Sequence, residues 1–171
     1  MKTGRCCWPL LLPLLLLSGC GYHPLGTEPI GGITRTLAVP LFTNRSTEVG
    51  LEAIMANALI STFAQTRAVK VTPYEDGADL VLVGKVQSVD NTSVAYSSVT
   101  QSTVRRVIVR VELTLRQRDN GKVLWKDTQI LESDYVVDPS YQAGEVTRAE
   151  GLRRAAHKMA QRVLNKVLLV L

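Results

Sequence analysis

The segment Val104-Arg105-Arg106-Val107-Ile108-Val109-Arg110-Val111-Glu112-Leu113-Thr114-Leu115-Arg116 decides the fold. Aliphatic residues fill every second position from Val107 to Leu115, and mostly charged or hydroxyl side chains stand between them. Alternate side chains of a strand point to opposite faces, so this pattern predicts a strand with one face on a core and the other toward water. The Asn120-Gly121 pair that follows predicts a hairpin, with residues 123–135 returning as the partner strand.

Shorter apolar runs before this segment predict three more strands. They cover residues 36–39, 69–71 and 78–86, and Gly84 within the last run indicates a bulge or a close backbone approach. Residues 87–103 are polar and rich in Ser and Thr, which allows extended structure near a hairpin tip but specifies no core face. Residues 41–47 read as a turn-rich loop.

Two helices are predicted from a change in the hydrophobic period. Residues 48–65 carry one apolar face, with Ser46 or Thr47 as the capping residue. The second helix is predicted to begin at Thr147, because Thr147 and Glu150 fit a capping box, while residues 142–144 are assigned to a loop. Its apolar side is long, and most of its remaining side chains are basic.

The order β-α-β-β-β-β-α predicts the fold class. We expect an α+β domain over residues 35–171, with two helices packed on one face of a mostly antiparallel four- to five-stranded sheet. Neither an internal repeat nor a second domain is apparent in the sequence.

The beginning of the chain has the organisation of a secretory signal. Lys2 and Arg5 precede an apolar run that ends in Leu17-Ser18-Gly19-Cys20, and this run is too short to cross a membrane as a helix. Leu-Ser-Gly-Cys resembles the lipobox of bacterial lipoproteins, which implies cleavage before Cys20 and lipid on its thiol. We therefore predict a lipoprotein signal peptide at residues 1–19 and a lipidated flexible tether at 20–34. A plain signal peptide or an uncleaved anchor is the alternative.

Composition narrows the chemistry of the chain. All three cysteines lie in the leader or at its end, so the domain has no thiol for a disulfide, a metal site or a nucleophile. The chain has only two histidines, His23 in the tether and His157 in a basic helix, and it has no nucleotide-binding or hydrolase motif. We therefore predict no enzyme activity, no metal and no cofactor apart from the N-acyl diacylglycerol at Cys20.

One basic cluster is a candidate binding site. Strand parity places Arg106, Arg110, Arg116 and Arg118 on one face, with Lys122 and Lys126 across the hairpin. Guanidinium groups in such a row suit phosphate or carboxylate groups of a lipid. The alternative is a solvated sheet face in which Glu112 pairs with its basic neighbours.

The whole chain after the leader resembles the LptE family of lipopolysaccharide-assembly lipoproteins. The resemblance is carried by Cys20-Gly21-Tyr22-His23, by Ala38-Val39-Pro40-Leu41-Phe42-Thr43-Asn44, by Leu51-Glu52 at the first helix, and by the long final helix. It implies an outer-membrane lipoprotein at the periplasmic face, anchored to the membrane by lipid.

The resemblance also implies partners. It predicts a plug inside an LptD-like β-barrel that assists barrel assembly and lipopolysaccharide transfer, binding lipopolysaccharide without chemical change and binding no nucleic acid. The candidate lipopolysaccharide contacts, chosen by location, are Arg105, Arg106, Arg110, Arg116, Arg118 and Lys122. Two alternatives stay open: an adaptor of another envelope secretion or efflux assembly, and a periplasmic enzyme with an unseen site.

Overall fold

The computed structural model describes residues 35–66, 68–98, 101–138 and 140–170. The predicted signal peptide and tether lie outside these residues. The elements in chain order are β1 Arg35–Ala38, β2 Thr43–Asn44, α1 Leu51–Ala64, β3 Val69–Thr72, β4 Leu80–Ser98, β5 Gln101–Gln117, β6 Val123–Val136 and α2 Tyr141–Val170. None of the helices in these ranges has the length and apolar character needed to cross a membrane.

The alternating strand is the centre of the sheet, as its sequence predicts. Every odd residue of β5 from Val107 to Leu115 is fully buried, and the even residues between them are partly or fully exposed. β5 pairs antiparallel with β4 on one side and with β6 on the other, and Gly121 at φ 67° forms the predicted turn. The polar residues after Gln87 extend β4, so the extended structure that the sequence allowed there is confirmed.

The described part of the chain forms a sheet of six strands in the order β3-β1-β4-β5-β6, with β2 attached to β4. The two long hairpin pairings are antiparallel, whereas β1 pairs in parallel with β3 and β4, and β2 pairs in parallel with β4. The predicted α+β class is confirmed. The count exceeds four to five because Thr43 and Asn44, assigned from sequence to a loop, add a two-residue strand.

Both helices pack on the same face of the sheet and contact each other there. α1 buries Met55, Leu59 and Phe63, and α2 buries Met159 and other apolar residues against β5 and β6. Burial of each of the larger apolar side chains stabilises the folded state by about 1.5–3 kcal/mol. Among the described residues, the buried apolar cluster on the opposite face of the sheet is small and is formed by Ala38, Ala78 and Val81.

The helix starts differ from the predicted ones. α1 is preceded by Gly50 in the left-handed region at φ 84°, and neither Ser46 nor Thr47 caps it with a side chain. α2 begins at Tyr141, so the capping box at Thr147 and the loop at 142–144 are both wrong. The Thr147 hydroxyl lies inside the helix and donates to the carbonyl oxygens of Val136 and Gly144 instead.

A close approach explains the glycine in β4. A Cβ atom on Gly84 would overlap the Cδ2, Cε2 and Cζ atoms of the Phe42 ring. Phe42 is 3% exposed and belongs to the core between β2 and α1. Gly84 is therefore the residue that lets the connection before β2 lie flat on β4, which confirms the close approach indicated by the sequence.

Candidate functional site

The sheet face opposite the helices, which we call the outer face, presents the even residues 106–116 of β5. The neighbouring strands contribute the side chains that flank them. Arg110, for example, lies between Ser88 of β4 and Ile130 of β6, and Arg106 lies between Thr92 and Asp134. The described helices leave this face open, so its charged side chains can meet solvent or a partner.

Arg106 is held by two carboxylates of β6. Its Nε and Nη2 atoms donate to the two oxygens of Asp134 at 2.6 and 3.0 Å, and its Nη1 atom donates to Glu132 at 3.1 Å. The hydrogen bond and charge of Asp134 raise the pKa of Arg106, and the hydrogen bond from Arg106 lowers the pKa of Asp134. A bidentate arrangement of this kind leaves Arg106 little capacity for a second anion.

The basic residues near the β5–β6 turn also have acidic neighbours. Arg116 donates to Glu75 at 2.8 Å, and Arg118 lies 3.9 Å from Asp76. Arg118 follows the last residue of β5, so strand parity does not place its side chain on the outer face. Lys122 is exposed in the turn, where its backbone N–H donates to the side chain of Asn120.

Two candidate arginines keep their positive charge uncompensated. Arg110 is exposed on the outer face, and within the described ranges it makes no ion pair because both cross-strand neighbours are uncharged. Arg105 is exposed as well, with no ion pair among the described residues. It stands at an odd position of β5, opposite Tyr135, and therefore lies on the helix side rather than beside Arg110.

The outer face is thus a surface of mixed charge rather than a continuous line of positive charges. Glu112 accepts contacts from Lys126 at 3.5 Å and from Gln87 at 3.5 Å, as the solvated alternative expects. Of the six candidates, Arg106 and Arg116 are engaged by carboxylates and Arg118 lies 3.9 Å from Asp76, whereas Arg105, Arg110 and Lys122 make no ion pair with a described residue. Within the described residues, the outer face therefore carries few positive charges that are not paired with an acid.

A second polar cluster joins the segment before α1 to both β4 and α2. The Asn44 amide donates to the Glu48 carbonyl at 2.6 Å and to the Glu52 carboxylate at 2.8 Å. The backbone N–H of Glu52 itself and the Asn44 amide lower the pKa of Glu52. Arg148 of α2 forms a partly buried ion pair with Glu48. Burial acts against the charge of Arg148, but the hydrogen bond that Arg148 donates to Glu48 is among the contacts that raise the pKa of Arg148 overall.

Sequence reasoning identified the basic side chains but missed their partners. The alternating acids Glu132 and Asp134 face Ile108 and Arg106 only in the register that β5 and β6 adopt. Glu75 reaches Arg116 across 41 positions of the chain, a distance that no local pattern encodes. Within the described ranges, no group of three His, Cys, Asp or Glu residues is arranged to hold a metal ion.

These features define a class of protein: a two-layer α+β domain whose sheet has a polar face that the described helices leave open. Solved structures share this fold at low sequence identity. A candidate lipoprotein of Caulobacter crescentus is 15% identical, with a TM-score of 0.56 over 75% of this chain and 88% of its own. A Xanthomonas campestris protein is 10% identical, with a TM-score of 0.58 over 86% and 90%. A Chlamydia trachomatis protein is 10% identical, with a TM-score of 0.53 over 80% and 96%.

The family follows from a match to the sequence itself. The model of the LptE family, described as lipopolysaccharide-assembly, matches residues 34–167, which is nearly the whole described domain. The chain belongs to the LptE family, and its role lies in lipopolysaccharide assembly. A comparison with curated proteins finds no match.

Proposed function

We propose that this protein is an outer-membrane lipoprotein, lipidated at Cys20, that plugs an LptD-like β-barrel from the periplasmic side. In this role it assists barrel assembly and binds lipopolysaccharide during transfer to the outer leaflet without changing it chemically. Membership of the LptE family and the lipobox-like Leu17-Ser18-Gly19-Cys20 segment support the proposal.

The single observation that carries the plug is the one-sided packing of the sheet. Both helices cover the same face, and the outer face offers polar and charged side chains along three long strands. The interior of a large membrane barrel is polar, so a plug needs a polar surface rather than an apolar one. The polar continuation of β4 beyond Gln87 adds to this surface at the hairpin end of the domain.

The test of the plug is a mild-detergent purification of the lipidated protein from outer membranes, with the co-purifying proteins identified. A large β-barrel in equal amount is the expected result. Shortening the hairpin tip within residues 87–103 should weaken capture of the barrel. Recovery of the protein alone, or with a periplasmic channel or secretion component, would overturn the plug.

Lipopolysaccharide binding at the outer face is proposed to depend first on Arg110, because its guanidinium group is not engaged by a carboxylate. Arg105 is also without a carboxylate partner among the described residues, but it lies on the helix side of the sheet. Replacement of Arg110 by alanine should lower affinity about tenfold, the scale of one charge-assisted hydrogen bond. Arg153→Ala on the exposed side of α2 is the matched control, and its affinity should stay within about twofold. Binding should also weaken with added salt. Equal affinity for the Arg110 variant and the wild type would remove this residue from the proposed contacts.

A further inference from the structure

The last strand, β6, forms one edge of the sheet, and its free backbone groups can be identified. The Val137 N–H donates to the Thr103 carbonyl at 3.0 Å, while Val136 faces Val104 in the pairing register. In an antiparallel ladder this pattern makes Val136 a non-hydrogen-bonded partner of β5, so its own N–H and C=O point away from the sheet. The same holds for every second residue back along the strand, including Asp134, Glu132, Ile130 and Thr128.

Side chains of the protein cover both ends of this edge but not its middle. The Val136 carbonyl accepts from the Thr147 hydroxyl, and the Asp134 carbonyl accepts from Arg154, each at 2.7 Å. Toward the other end, the Thr128 N–H donates to Asp127 at 2.8 Å. The outward N–H and C=O groups of Ile130 and Glu132 have no partner within the described part of the chain. An unpaired strand edge is a template for another strand.

The helix beside this edge carries an unbalanced set of positive charges. The contacts of Thr147 and Arg154 with successive outward carbonyls show that α2 runs antiparallel to β6. Beyond Arg154, exposed cations recur every fourth residue, and the sequence after Glu150 contains no acid. We call Lys158, Arg162 and Lys166 the basic row. None of the three forms an ion pair with a described residue. Lys158 lines an open 440 Å³ cavity together with Glu132, Asp134 and Arg154, and its charge helps to lower the pKa of Asp134.

Like charges four residues apart repel one another on a helix, so a partner that supplies negative charge would relieve the repulsion within the basic row. Successive members of the row advance about 6 Å along the helix. Side chains on one face of a strand are spaced about 6.6 Å apart, which is close to the same repeat. If a strand were added to β6 with acids on its helix-facing side, the spacing of those acids would therefore match the spacing of the cations in the basic row.

We infer that the open edge around Ile130 and Glu132, together with the basic row, is a docking surface for an extended acidic segment of a partner protein. The segment adds to the sheet as a seventh strand, pairing its backbone with β6 and its carboxylates with Lys158, Arg162 and Lys166. A second copy of this chain suits the surface poorly, because antiparallel pairing of two β6 edges brings two basic rows together. A lipid headgroup would meet the charges but has no backbone to pair with Ile130.

The inference does not depend on the proposed plug, because it concerns a surface that any envelope partner could use. The test measures binding of a synthetic peptide of about seven residues, the length of an ordinary strand, to the purified full chain in mild detergent. Glutamates alternate with valine and threonine in the peptide, and a matched peptide carries lysines instead. Three variants are compared with the wild type: Ile130→Pro, the triple variant Lys158→Gln/Arg162→Gln/Lys166→Gln, and the control Arg153→Gln. Circular dichroism checks that each variant is folded.

The acidic peptide should bind and the lysine peptide should not. Proline at position 130 and the triple charge variant should each weaken binding about tenfold, equivalent to 1.4 kcal/mol. Arg153→Gln should change it less than about twofold, since it removes an exposed charge outside the row. The peptide can also be N-methylated on the residues that face β6, which tests backbone pairing without altering the protein, and this should abolish binding.

Three outcomes would overturn the inference. The acidic peptide could fail to bind at low ionic strength. Binding could fall in the charge variant but persist with Ile130→Pro and with the N-methylated peptide, which would indicate adsorption of anions such as headgroups or phosphate. The chain could instead form a dimer that Ile130→Pro separates, which would identify a second copy as the occupant.

Discussion

Replacement of Gly84 by alanine tests how closely Phe42, in the connection before β2, packs against β4. The added methyl would overlap three atoms of the Phe42 ring, whereas nonbonded carbon atoms are ordinarily about 3.5–4.0 Å apart. Phe42 is 3% exposed and surrounded by core residues, so the ring has little room to move. Overpacking of a core costs about 1–3 kcal/mol and occasionally more, and we expect Gly84→Ala to lie at the upper end, near 3 kcal/mol.

A double-mutant cycle assigns this cost to the ring. Phe42→Ala alone should cost about 3–5 kcal/mol because it leaves a cavity. In that background the alanine methyl at position 84 has space, and its effect on the free energy of unfolding should fall to about zero. The measurement is urea denaturation followed by circular dichroism. Gly144→Ala is the matched control: it lies inside α2, its methyl would meet nothing closer than 3.5 Å, and it should stabilise by about 0.5–1 kcal/mol.

A cost below about 0.5 kcal/mol for Gly84→Ala would refute the steric argument, since that is the usual size of a neutral surface change. The same conclusion would follow if the cost persisted undiminished in the Phe42→Ala background. The glycine would then be required for some other property of β4.

Three further predictions concern polar groups. Thr62→Val should stabilise by about 1 kcal/mol in urea denaturation, because the buried Thr62 hydroxyl has no hydrogen-bond partner among the described residues; a loss of stability would contradict this. Arg148→Met should lower the unfolding free energy by about 1–3 kcal/mol, since it leaves Glu48 partly buried without its partner, and the loss should shrink in a Glu48→Gln background. Arg106 lowers the folded-state pKa of Asp134. The ionised carboxylate therefore stabilises the fold at pH values above the ordinary aspartate pKa near 4, and this stabilisation is lost as the pH falls through the lower folded-state pKa. Urea midpoints measured against pH should therefore fall less steeply in acid for Asp134→Asn than for the wild type, and equal slopes would contradict this.

The parts of the fold that were predictable are those with a strong local period. The alternation in β5 and the Asn120-Gly121 turn defined the central hairpin, and the apolar face of α1 located its buried residues. The start of α2 was not predictable because Thr147 and Glu150 have the residue types of a capping box while lying inside a longer helix. β2 was missed because two residues carry no period, and its pairing with Lys85 and Val86 is fixed by tertiary contacts.

The candidate site was predictable in composition but not in electrostatics. The basic residues of β5 could be assigned to a face by parity, and Arg106 and Arg110 do share the outer face. Their difference in charge compensation depends on which residue of β6 stands opposite each one, and that is a property of strand register. Arg110 faces Ile130, whereas Arg106 faces Asp134. Without the register, the two arginines look equivalent.

The mixed pairing of the sheet has a consequence for the order in which the domain can form. β4, β5 and β6 follow one another at short intervals in the chain, so their contacts close short loops and lose little chain entropy. β1 comes first in the chain, but its partners are β3 and β4, which follow α1. Contacts between distant parts of a chain form slowly. Although β1 comes first in the chain, it can therefore join the sheet only after β3 and β4, which α1 separates from it in sequence, have been made.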